Sequence, residues 1–319
     1  MNSVFPLFVG SGRSGTTLFR NVFDSHSQLA MAHEAHFVLP MTQRSGRYER
    51  PERFDVDVFM ADLYANSNFV RQGLDESAVR AAVEAATPTN VADAVRAVFG
   101  LYATDHGKPL YGDKTPGYVT HLELLAEEFS EARFVHVIRD GRDVAMAYLD
   151  REEWGPSTMA DAALYWKSRV GRGRAAGKVL GADRYREARY EDMVEDPEAV
   201  TRDLCGFLGL EYEPDMLEFH RRGDQFAAGT AHPDAFKGLS KPITKGMRDW
   251  RTQMDPSDVA LVEAIAGDLL ADLGYDVTGT NAGGAVRTKV AIATMSWQFK
   301  RAGSRLSPLK RRIRNIVRR

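Results

Sequence analysis

The sequence predicts an α/β fold of three layers, of the phosphate-loop (P-loop) type, with a central parallel sheet and helices on both faces. Three observations point there. Short, mainly apolar stretches, such as Val4–Val9 and Arg133–Ile138, read as strands buried in a parallel sheet. Segments of helical period alternate with them. The glycine-rich stretch GSGRSGTT, Gly10–Thr17, follows the first strand and opens a helix. In sheets of this kind ligands bind beyond the carboxyl ends of the strands.

Taken in order, Val4–Val9 is a strand ending at Gly10, and Thr16–Ser25 carries Leu18, Val22 and Phe23 at helical spacing. Leu29–Ala32 reads as a second strand. Residues 55–105 are mostly helical in pattern, with Val79, Val83 and Ala86 on one face and Val91, Val95, Val98 and Leu101 on another. An apolar pair closes a strand just before GDKTP, Gly112–Pro116. A helix over Leu122–Phe129 precedes the strongest strand, Arg133–Ile138. Further helices are expected at 142–150, 157–176, 197–208 and 255–273. TGTNAGG, Thr278–Gly284, is a linker by composition. The organisation expected is a main domain over 1–277, a linker over 278–286 and a basic tail over 287–319. The chain shows no internal repeat and no low-complexity segment.

Of the 319 residues, 44% are hydrophobic and 27% charged, an ordinary globular composition. Cys205 is the only cysteine, which rules out an intrachain disulfide and fits a reducing compartment. No apolar run reaches the roughly 20 residues of a membrane span. The start MNSVFPLFVGSG lacks a positive segment and runs straight into the glycine loop, so a signal peptide is not expected and the setting expected is cytoplasmic. The net charge of −2 hides an asymmetry: residues 287–319 hold eleven Lys/Arg and no Asp/Glu. Within that stretch Leu306, Leu309, Ile313 and Ile316–Val317 recur at helical spacing. A basic amphipathic helix reads as an element for an anionic membrane surface or a partner, so peripheral attachment to a membrane is a further expectation. The alternative is a tail folded back on the acidic remainder. That acidic remainder argues against nucleic acid.

Two stretches carry chemistry. In Gly10–Thr17 glycines let the backbone turn N–H groups inward, and the helix start adds free donors and partial positive charge. Thr16 and Thr17 add hydroxyls. Thr16 stands where a nucleotide triphosphatase has lysine, and Arg13 inside the loop supplies a cation suited to anionic oxygens. The second stretch, RDGRDVAMAY over Arg139–Tyr148, again opens a helix after a strand, with Arg139 at the strand's carboxyl end. Its alternative reading is a set of surface ion pairs among Arg139, Asp140, Arg142 and Asp143. Two anion sites on neighbouring strands call for a ligand with two anionic ends.

The pair GSGRSGTTLFR and FVHVIRDGRDVAMAY resembles the 5′-phosphosulfate loop and 3′-phosphate site of sulfotransferases that use PAPS (3′-phosphoadenosine 5′-phosphosulfate). The similarity is greatest to a bacterial branch related to protein-tyrosine sulfotransferases. It spans roughly residues 4–275 and takes in His33-Glu34, GDKTP, RYEDMVEDP (Arg189–Pro197), FLGLEYEP (Phe207–Pro214) and SKPITKGMRDW (Ser240–Trp250). The resemblance implies that Gly12, Arg13, Ser14, Gly15, Thr16 and Thr17 hold the 5′-phosphosulfate. It implies that Arg139 binds the 3′-phosphate, with Ala147 where a partner serine is usual, and that Tyr190 lies near the adenine. Lys245 and Gly246 resemble a step that also touches the 3′-phosphate.

The same resemblance implies transfer of a sulfonyl group to a hydroxyl of a carbohydrate, peptide tyrosine, lipid or small molecule, with PAP as product and no metal. Such transfer passes through a loose in-line transition state stabilised by positioning and charge. A hydroxyl needs a base at neutral pH. Glu34 is the candidate; a free glutamate, with pKa about 4.3, is ionised there. His33 and His36 are its rivals. Lys114 is assigned to the bridging or sulfonyl oxygens, Ser240 offers a further hydroxyl, and residues 44–110 are expected to shape the acceptor cleft. The alternative function is a P-loop kinase of a nucleoside or small molecule. Thr16 in place of lysine, and the lack of a clear acidic strand end for Mg²⁺, count against it.

Overall fold

Five short strands, β1 (Phe5–Gly10), β2 (Leu29–His33), β3 (Leu110–Lys114), β4 (Ala132–Ile138) and β5 (Tyr185–Arg189), pair in parallel in the order β2–β3–β1–β4–β5. This is a computed structural model that describes residues 4–150, 155–222, 241–244, 249–279 and 283–299. Two units can be told apart, one drawn from Met1–Arg139 and Arg172–Met247, the other from Asp140–Gly171 and Arg248–Arg319.

The first unit holds the sheet, and the period of two along its strands sorts side chains into two cores. Phe5, Leu7 and Val9 of β1 join Ala30, Ala32 and Phe134 on one face. Helices α2 (Val38–Thr42), α3 (Val56–Tyr64), α4 (Ser67–Val70), α5 (Glu76–Ala85), α6 (Val91–Asp105) and α7 (Leu122–Glu128) cover that face through Val38, Phe59, Phe69, Val83, Val95 and Leu125. Phe8, Leu29, Met31, Val135 and Val137 fill the other core with Phe19, Val22 and Phe23 of α1 (Thr16–Asp24). Met193 of α10 (Tyr190–Glu195) and Leu204 of α11 (Pro197–Leu208) join that second core. Each such side chain contributes about 1.5–3 kcal/mol on burial, so the double-sided sheet dominates this unit's stability. Val79 and Val83 are buried as the pattern requires. Ala86 is exposed, because α5 ends at Ala85.

Helix starts follow their caps. Asp55, Asp75, Asn90 and Asp196 each accept from a first-turn N–H of α3, α5, α6 and α11. Pro197 at the first turn and Gly209 in a left-handed C-cap bound α11 where the sequence placed it. β5 is an addition to the sequence reading. Its sequence, YREAR, has no apolar run, since it pairs only with β4 at the sheet edge.

The second unit holds α8 (Gly141–Leu149), the start of α9 (Met159–Leu180), α12 (Trp250–Gln253) and α13 (Pro256–Asp272), and Arg142 of α8 is buried between α12 and α13. Arg142 has no exposed surface; it donates to Asp140 Oδ2 at 2.8 Å and Glu263 Oε1 at 2.7 Å, and lies 3.6 Å from the centre of the Trp250 ring. The backbone N–H of Trp250 donates to Asp143 Oδ1 at 2.9 Å. Asp140, Arg142 and Asp143 are therefore a buried network, not the surface ion pairs weighed above. Thr278, the first residue of the expected linker, is tied to Glu263 through both its N–H and its hydroxyl. A helix begins at 284, three residues before the expected tail, and runs to 299 as α14. No helix among the described residues is long and apolar enough to cross a membrane. Ser240, Lys245, Gly246 and residues 300–319 lie outside the described residues.

Candidate active site

Sheet register brings the candidate residues of the first unit to one edge. β1 lies at the centre, and Phe8 pairs with Lys114, His33 with Lys114, Gly10 with Val137 and Ile138 with Arg189. The phosphate loop, Glu34, Lys114, Arg139 and Tyr190 thus follow or close the carboxyl ends of five adjacent strands, where ligands of parallel sheets bind.

The loop is built by close backbone approach. A Cβ at Gly10 would lie 2.5 Å from the Val137 carbonyl oxygen. Gly15 has φ +86°, and a Cβ there would lie 2.3 Å from the Tyr190 ring. Only glycine meets both conditions at Gly15. Arg13 holds φ 70° without being glycine. No side chain caps α1 at Gly15, in contrast to α3, α5, α6 and α11, so the N–H groups at its start other than that of Leu18, which donates to the Gly15 carbonyl, are left for an anion. The Ser11 and Ser14 hydroxyls are buried with no hydrogen-bond partner among the described residues.

The two threonines part company. Thr16 is buried, with its methyl against Gly10. Thr17 Oγ1 lies 3.4 Å from Lys114 Nζ, which also donates to Glu34 Oε1 at 2.6 Å. The Lys114 side chain has no exposed surface, while Glu34 keeps 34% of its side chain exposed. His36 Nε2 lies 3.1 Å from Glu34 Oε2. Loop, base candidate and lysine therefore form one connected group.

Burial opposes the charge on Glu34, yet the Lys114 ammonium and hydrogen bonds from His36 and Lys114 hold its carboxyl well below the usual carboxylate range. Burial lowers the pKa of Lys114, with the Glu34 charge acting against it. Burial, then the Lys114 charge, pushes His33 down to about 3, which leaves it neutral and weakly basic at pH 7. Of the rival bases, His36 is the one that touches Glu34.

At the neighbouring strand ends the Arg139 guanidinium lies 4.4 Å from the centre of the Tyr190 ring, a cation–π contact that presents a flat pair. Ala147 is buried on α8 in the second unit.

Three buried charged residues escaped the sequence reading. Arg20, in TTLFR, is buried and donates to the Met31 carbonyl at 2.8 Å, while Asp24 accepts from the Met31 N–H at 2.8 Å. They tie α1 to β2. Charged residues on the buried face of α1 were the signal. Asp113 accepts from the Ala35 N–H at 3.1 Å and is wholly buried.

A family model described as the sulfotransferase family matches residues 6–214. Protein-tyrosine sulfotransferase 1 of Danio rerio is 26% identical over 287 residues, 86% of this chain and 74% of that protein. Carbohydrate sulfotransferase 5 of Mus musculus is 26% identical over 175 residues, 48% of this chain and 44% of that protein. The sulfotransferase domain of the Synechococcus PCC 7002 olefin synthase shares the fold with a TM-score of 0.59 at 24% identity, covering 86% of this chain and 95% of that one. The sulfotransferase domain from the curacin biosynthetic pathway does so with a TM-score of 0.55 at 21% identity, covering 86% and 99%.

Proposed function

The chain belongs to the sulfotransferase family, and from that premise we propose that it moves a sulfonyl group from PAPS to an acceptor hydroxyl with Glu34 as base and Lys114 as the cation at the transferring group. The acceptor oxygen attacks sulfur, the bond from sulfur to the 5′-phosphate oxygen breaks, PAP leaves, and the hydroxyl proton passes to Glu34. Lys114 donates to the bridging oxygen as negative charge builds there, and Arg13 and the loop N–H groups hold the phosphosulfate. Arg139 pairs with the 3′-phosphate beside the Tyr190 ring. Lys245 and Gly246 are assigned to the same phosphate by motif.

The observation that carries this reading is the position of Lys114 Nζ, 2.6 Å from Glu34 Oε1 and 3.4 Å from Thr17 Oγ1. One cation spans the phosphate loop and the base. Following the sulfonyl label of PAPS into acceptors of a source extract tests it. Glu34→Gln and Lys114→Ala should each abolish labelling while PAP still binds. Turnover of ATP with Mg²⁺ in place of PAPS would overturn it in favour of a kinase.

A second reading concerns place. Ile292, Met295 and Phe299 of α14 are 59%, 57% and 77% exposed and recur at i, i+3 and i+7. With eleven Lys/Arg over 287–319, this apolar face suits peripheral attachment to an anionic membrane surface.

A further inference from the structure

The residue to explain is Asp113, a carboxylate with no exposed surface that the chemistry above does not use. Its Oδ1 accepts from the N–H of Ala35, 78 positions away in the chain, at 3.1 Å. Ala35 lies between two residues in the left-handed region, Glu34 at φ 47° and His36 at φ 52°. A side chain with a Cβ is disfavoured in that region, and such backbone persists where surrounding contacts over-determine it.

Contacts on either side of Ala35 are backbone-directed. The Glu34 N–H donates to the Lys114 carbonyl at 3.0 Å and closes the β2–β3 ladder. Gln72 donates to the His33 carbonyl at 2.8 Å, and Asn66 to the His36 carbonyl at 3.3 Å. At Ala35 the ladder is finished and a side chain supplies the acceptor instead. Asp113 is the residue before Lys114, so one stretch of β3 holds the turn that carries Glu34 and also the ammonium that Glu34 meets.

We propose that Asp113 is a positioning residue, which fixes the Glu34–Ala35–His36 turn through the Ala35 N–H and so keeps the Glu34 carboxylate beside Lys114. This rests on the reading of Glu34 as base for its catalytic meaning, but not for its geometry. Burial pushes the Asp113 carboxyl up to about 6, with the hydrogen bond from the Ala35 N–H acting against burial. Its role needs an acceptor oxygen and not a charge, so an amide in its place should serve in part.

The test follows the Glu34 carboxyl by carbon NMR titration in the full chain, beside PAP affinity by calorimetry. In Asp113→Ala the Glu34 ionisation constant should fall at least tenfold, as the carboxylate leaves Lys114. In Asp113→Asn most of that change should be restored, and PAP affinity should stay within threefold in both. An unchanged Glu34 titration in Asp113→Ala overturns the proposal. So does a loss of PAP affinity and melting temperature by the same amount in both variants, which would make Asp113 a general support of the fold. If Asp113→Ala does not fold, hydrogen exchange of the Ala35 amide in the wild type decides: protection of at least a hundredfold supports the proposal, and exchange at the rate of an open amide overturns it. A Glu34→Gln variant with full PAPS turnover would remove the base assignment while leaving the positioning result standing.

Discussion

At the scale of single residues, the Lys114–Glu34 contact fixes the pH behaviour. With Glu34 as the proposed base, turnover would need its carboxylate ionised, and Lys114 together with His36 holds that carboxyl well below the usual range against the raising effect of burial. The acid limb of the rate profile should therefore lie below that of an ordinary glutamate. Replacing Lys114 by methionine removes the lowering charge and leaves the burial, so the limb should move to higher pH. The rate on its plateau should fall by about 10²–10³-fold, the loss typical of one donor to developing charge. Rates of PAPS turnover against pH check both, and a limb that stays in place argues against Glu34 as base. Arg139 makes a second prediction. PAP should raise the melting temperature more than AMP does, since a ligand at 100 times its Kd adds about 2.7 kcal/mol. Arg139→Ala should erase the difference between the two. Equal shifts with the wild type would remove the 3′-phosphate assignment. The placement of Glu34, Lys114 and Arg139 at the carboxyl ends of strands was legible because each follows or closes a short apolar stretch. The left-handed backbone at Glu34 and His36 was not, because no glycine marks that turn and its support, Asp113, is distant in sequence.

At the scale of elements, the phosphate loop depends on one packing relation. Gly15 has a positive φ and the Tyr190 ring where a Cβ would be. Gly15→Ala should cost about 1–2 kcal/mol from the left-handed backbone and push Tyr190 away from the loop. The chain should still fold on its two-sided sheet but bind PAP at least tenfold more weakly, as calorimetry would read. Wild-type affinity would show that Tyr190 is no part of the nucleotide site. Elements buried on both sides were legible. β1 is an unbroken apolar run, β4 is apolar apart from Arg133 and His136, and α11 is bounded by a cap, a proline and a glycine. β5 was hidden because an edge strand needs no second apolar face: Tyr185 and Ala188 are buried, while Arg186 and Glu187 ion-pair with Asp203 and Arg174. Helix α9 extends to Leu180, four residues past the expected end, as Ala176 and Leu180 pack into the first core.

At the scale of the whole molecule, charge is divided along the chain, with the cations of 287–319 following an acidic remainder. Exposed cations act over roughly 8 Å at physiological ionic strength, so attachment to an anionic surface should weaken with salt. Each Lys or Arg near such a surface adds about 1 kcal/mol. The full chain should co-sediment with phosphatidylglycerol vesicles at low salt. A triple Ile292→Ser, Met295→Ser, Phe299→Ser variant should bind at least tenfold less at unchanged charge. Indifference of the full chain to these vesicles would end the membrane reading. The order of the strands has a consequence of another kind, for synthesis. Of the five strands β1 is made before the others and lies at the centre of the sheet, yet its partners Asp113 of β3 and Phe134 of β4 come more than a hundred residues later. At ordinary rates of translation the interval is on the order of ten seconds. Through it, a strand whose six residues all end buried waits without neighbours on a growing nascent chain. Pairing across such separations is slow even once the partners exist. A ribosome-bound fragment stopped before residue 110 should therefore engage chaperones that bind extended apolar segments, and should release them only after β4 has cleared the exit tunnel.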